Sequence, residues 1–102
     1  MNPKPVPPAQ VTLAYRVVGE AKTHVFTSNE VPGLHVGSSC LERAFEEAII
    51  ALGELVSYQV GYPVTYKPET AFEQFALRLE ERDVPASLIS KYVIARREEG
   101  RA

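Results

Sequence analysis

The sequence predicts an α+β fold: a small sheet of β-β-β-α-β order with one helix across a face, followed by two C-terminal helices. Three observations carry that prediction. One long helical pattern runs from Leu41 to about Val60. Short segments with a two-residue alternation precede it, separated by glycine-bearing turns. One further extended segment, bounded by Pro63 and Pro68, follows it.

The central helix is the clearest element. At 100° per residue, Leu41, Ala44, Phe45, Ala48, Ile49, Leu52, Leu55 and Val56 fall on one stripe, wide enough to cover a sheet face. Burying its large apolar side chains contributes roughly 1.5–3 kcal/mol each. Ser38 and Ser39 are competent N-caps, and Ser39 with Glu42 has capping-box spacing. Gly61 ends the helix and Pro63 keeps it from resuming. Glu42, Arg43, Glu46, Glu47 and Glu54 form the polar face, with Ile50 in its middle.

The remaining elements follow in order. Residues 1–10 hold four prolines and are expected to form an extended tail without regular pairing. Val11 to Val18 alternates, with Val11, Leu13, Tyr15 and Val17 on the core side. Gly19 to Lys22 connects it to a return strand, Thr23 to Ser28, rich in β-branched and aromatic residues. A turn at residues 29–33 leads to a short third strand, Leu34 to Val36. The proline-bounded segment 63–68 suits a sheet edge. Thr70 with Glu73 marks a second helix, whose stripe is Phe72, Phe75, Ala76 and Leu79. A third is expected from Pro85 to Glu99, on Leu88, Ile89, Tyr92 and Val93. Residues 11–68 thus read as the sheet domain and 69–100 as a helical pair that serves as an oligomerisation element.

Composition narrows the function. The 102 residues carry a net charge of -2, which argues against a protein whose main work is neutralising phosphates. The single cysteine, Cys40, permits no internal disulfide and fits a reducing, cytoplasmic setting. No apolar run is long enough to span a bilayer, and no secretory leader is expected. His24, His35 and Cys40 lack the spacing of a metal site or a nucleophile–base pair. No catalytic residue, metal site or cofactor is therefore expected.

One family pattern is present. Phe26-Thr27-Ser28-Asn29-Glu30-Val31-Pro32-Gly33-Leu34, then Gly37, then Leu41-Glu42-Arg43-Ala44-Phe45-Glu46-Glu47-Ala48 resembles the HicB antitoxin family. That family typically shows an acidic residue, an aliphatic, Pro-Gly, a short strand and a helix opening Thr-Leu-Glu-Glu-Ala. Here Cys40 stands at the capping threonine, Arg43 at an acid and Asn29-Glu30 at Pro-Asp. The resemblance covers residues 11–68. It implies a partial ribonuclease-H-like fold and a non-enzymatic antitoxin that binds a small basic ribonuclease toxin of the HicA kind. It also implies, for members with an appended DNA-binding module, operator binding.

Three readings follow. The first is toxin neutralisation through the acidic helix face, with Glu42, Glu46, Glu47 and Ile50 as the partner surface. The second is a stand-alone homo-oligomeric regulator or inhibitor without a toxin partner, a dimer or tetramer held by Leu77, Tyr92 and Ile94 of the tail helices. The third is a repressor that contacts DNA through Arg96, Arg97 and Arg101.

Overall fold

The computed structural model describes residues 6–80 and 92–98. Its elements are β1 (Gln10–Val18), β2 (Thr23–Thr27), β3 (His35–Ser38), α1 (Leu41–Val60), β4 (Tyr66–Pro68), α2 (Phe72–Glu80) and β5 (Tyr92–Arg97). The five strands form one sheet in the order β3-β2-β1-β5-β4. Every neighbouring pair is antiparallel.

The meander β1-β2-β3 follows from its turns. Gly19 takes a φ of 75°, and Lys22 N–H donates to the Gly19 carbonyl at 3.2 Å, closing the first connection. At the second, Leu34 N–H donates to the Val31 carbonyl at 3.2 Å across Pro32 and Gly33, and Gly33 has a φ of 95°. Proline followed by a residue of positive φ is the chemistry of a type II turn. The buried Ser28 hydroxyl accepts from the Glu30 and Val31 amides, at 3.2 and 3.3 Å. Beyond the end of β2, Thr12 N–H donates to Glu30 Oε1 at 2.6 Å, so a carboxylate continues the β1 ladder where the neighbouring strand stops.

Helix α1 buries Ala44, Phe45, Ala48, Leu52 and Val56, with Leu41, Ile49 and Leu55 half-buried, as its stripe predicts. Its start differs from the sequence expectation. Cys40 is the N-cap and makes no side-chain capping bond. Ser38 is committed to β3, opposite His24, and its hydroxyl accepts from the Cys40 amide at 3.2 Å. The stop is as expected, with Gly61 left-handed at φ 83°. Helix α2 begins at Phe72 rather than on a Thr70 cap; the Ala71 carbonyl receives its first bonds, from Gln74 and Phe75. Phe75 sits at the centre of an aromatic cluster, 5.4 Å from Tyr15, 6.0 Å from Phe26 and 5.7 Å from Phe45, ring centre to ring centre.

The largest correction concerns the expected third helix. Residues 92–97 form β5, and its neighbours in the sheet are β1 and β4. Tyr92-Val93-Ile94-Ala95 satisfies a two-residue period as well as a helical one. Val93 and Ala95 face the core, at 2% and 0% exposure, while Tyr92, Ile94 and Arg96 face the other way. Short apolar runs do not separate the two periods, and β1 has a free edge that residues 92–97 fill. Residues 92–97 are therefore part of the sheet and not of a helical pair. The remainder of the expected helix lies outside the described residues. Of the proline-rich start, residues 1–5 lie outside the described residues, and residues 7–9 differ from a loose tail. Pro7 is buried, and the carbonyls of Pro7, Pro8 and Ala9 accept from Arg97, Tyr66 and the Arg97 amide at 2.9, 2.6 and 2.9 Å.

Candidate protein-binding site

The outward face of α1 carries Glu42, Glu46, Glu47 and Glu54, all exposed, with Arg43 as its cation. Glu46, Ile50, Glu54 and Tyr58 follow at four-residue steps, so they form one ridge. Ile50 is 62% exposed and Tyr58 89%, on a helix whose other face fills the core. Ile50 therefore lies in the open among carboxylates, as the spacing predicts.

Beside the second half of this ridge runs an apolar groove of about 730 Å³. One wall is Ile50, Glu54 and Tyr58; the other is the segment from Gly61 to Tyr66. Two features hold that segment against the helix. Gly53 lets the chain approach, because a Cβ there would lie 3.0 Å from the Val64 carbonyl oxygen. Ser57 then fixes it: its hydroxyl donates to the Val64 carbonyl at 3.0 Å and accepts from the Val64 amide at 2.7 Å. Tyr62, 41% exposed, and Glu98 also line the groove, the Glu98 amide bonded to the Thr65 carbonyl at 2.9 Å. Among the described residues, Glu54 and Glu98 are the charged groups lining the groove. Arg97 lies beyond Glu98 in an adjoining hollow, bonded to the Pro7 carbonyl.

The other expected sites are dispersed. Leu77 is 62% exposed on α2, in the helical layer, whereas Tyr92 and Ile94 lie on the sheet surface opposite Val93 and Ala95. The three proposed oligomer residues thus lie on opposite sides of the sheet and do not form one patch. Arg96 is on β5 and pairs with Glu69, Nε to Oε1 at 2.6 Å. Arg97 is tied to the N-terminal segment, and Arg101 lies outside the described residues. Among the described residues, no group of three histidine, cysteine or acidic side chains is placed to hold a metal ion. His24 Nδ1 is hydrogen-bonded with the Tyr15 hydroxyl at 2.7 Å, His35 is exposed on β3, and Cys40 is exposed at the start of α1.

Two tyrosines have shifted acidities. Burial raises the Tyr15 pKa above its ordinary 10.0. Burial also raises Tyr66, an effect partly offset by the Arg97 guanidinium. Both act as neutral hydroxyls in structural bonds.

Sequence reasoning located the acidic face but missed the groove. Tyr58 extends the Glu46–Ile50–Glu54 series by one turn and was legible by spacing alone. Tyr62, Pro63 and Glu98 were not, because their approach to α1 depends on the close contact at Gly53. Among the described residues, no helix is long and apolar enough to cross a membrane. No protein-family model, curated protein or solved structure matches this chain.

Proposed function

We propose that the protein is a non-enzymatic, antitoxin-type binding protein that engages and occludes a small basic protein through the exposed face of α1. The HicB-like pattern in residues 26–48 names the partner class, a small basic ribonuclease toxin of the HicA kind. The observation that carries the reading is the composition of that face: four carboxylates against one guanidinium, surrounding an exposed Ile50. A surface of this kind steers a cationic partner by long-range attraction and offers an apolar contact once water is displaced. Replacing Glu46 and Glu47 by lysine tests it. The double variant folds as the parent does, since both side chains are exposed. It binds the partner more weakly, and the salt dependence of its affinity flattens. Unchanged affinity and unchanged salt dependence would remove this surface from the interface.

A further inference from the structure

The groove has features that the acidic helix face alone does not require. The segment that forms one wall is tied to the helix, because Ser57 grips both the amide and the carbonyl of Val64. Pre-organisation of that kind lowers the ordering cost of binding. Its surface is mainly apolar and aromatic, with Tyr58 and Tyr62 presented to solvent. Among the described residues its two charged lining groups are both carboxylates, Glu54 on the helix and Glu98 after β5.

We propose that this groove is an anchor site for an extended segment of a protein partner that carries arginine or lysine beside a large apolar side chain. The apolar side chain fills the space between Ile50 and Pro63. The cation reaches Glu54 or Glu98 and lies over the face of Tyr58, where an arginine also gains from the ring quadrupole. Charge complementarity selects the occupant: an acidic segment would meet two carboxylates, and among the described residues no cation lines the groove to receive it. The inference rests on α1 being a partner-binding face, and it adds that affinity is concentrated in the groove rather than spread along the helix. Aromatic residues in fixed pockets are where interfaces concentrate affinity.

The test selects short random peptides on the full-length chain and maps the selected sequences by amide chemical shifts. The expected result is enrichment of arginine or lysine next to leucine, phenylalanine or tyrosine, with shifts centred on residues 50–65 and Glu98. Tyr58→Ala should then weaken the selected peptide by about tenfold or more. Glu54→Lys with Glu98→Lys should do the same for peptides with cations and not for neutral ones. Glu46→Lys with Glu47→Lys should weaken cationic peptides less than Glu54→Lys with Glu98→Lys does, because those residues lie outside the groove. That variant separates the two ideas: if it weakens the whole partner while Tyr58→Ala does not, the helix face stands and the groove assignment fails. Enrichment of acidic peptides, or shifts elsewhere on the surface, would also overturn it. So would a concentration-dependent doubling of mass that Tyr58→Ala abolishes, which would make a second copy of the chain the occupant.

Discussion

Replacing Gly53 by alanine sets two effects of known sign against each other. In a helix interior, alanine is favoured over glycine by about 0.8–1.0 kcal/mol. By propensity alone, Gly53→Ala should therefore stabilise α1. The structure opposes this, because the added Cβ would sit 3.0 Å from the Val64 carbonyl oxygen and 3.6 Å from Thr65 Cα. Both are backbone atoms, and the carbonyl is held in place by Ser57. Overpacking of this kind costs about 1–3 kcal/mol. The net expectation is a loss of about 1 kcal/mol, read as a lower urea midpoint at unchanged slope. Ser57→Ala alone leaves the Val64 amide unpaired and costs about 1–3 kcal/mol. The double variant should lose less than the sum of the two, because the released segment can move away from the new methyl group. A Gly53→Ala protein more stable by the full propensity gain, with strict additivity in the double variant, would refute the close approach that builds the groove.

Other consequences are equally direct. Phe75→Ala removes the ring at the centre of the aromatic cluster and should cost about 3–5 kcal/mol, seen as a large drop in thermal midpoint. Glu30→Ala leaves Thr12 N–H without its acceptor and should cost about 1 kcal/mol, while Glu30→Gln, which keeps an acceptor, should cost less. The tyrosines give a pH signature. Their folded pKa values lie above 10.0, so folding disfavours the ionised form. The stability this contributes is fully present below pH 10.0 and is lost as pH rises through the folded values. Urea midpoints measured on rising pH should fall in that window, and Tyr66→Phe should shallow the fall.

Residues with one dominant signal were legible in the sequence. Leu41 to Val60 has a single clean helical period and clear end signals. Val11, Leu13 and Tyr15 alternate strictly and are buried, whereas Val17, expected on the same side, is 47% exposed; Pro32-Gly33 specifies its own turn. The start of α1 was misread because Ser38 and Ser39 are good caps locally, yet Ser38 is drawn into the sheet by pairing with His24. Tyr92 to Arg97 was misread because its apolar residues fit either period, and the deciding factor was a vacant sheet edge on β1 distant in sequence. That strand and β4 account for the described end of the proline segment, where the Pro7 and Pro8 carbonyls are acceptors for Arg97 and Tyr66. At the candidate site, the acidic face and Ile50 could be read from one helix. The groove could not, since it forms only where Gly53 and Ser57 receive the chain around Val64.

The most direct test of the central claim is capture of the tagged full-length chain from its native host, with intact-mass measurement of whatever co-elutes. The account predicts a stoichiometric small basic protein, lost from the Glu46→Lys, Glu47→Lys variant, whose ribonuclease activity is suppressed in the complex. Recovery of the chain alone, at a multiple of 11.3 kDa, or of a partner that the charge-reversed variant still holds, would contradict it.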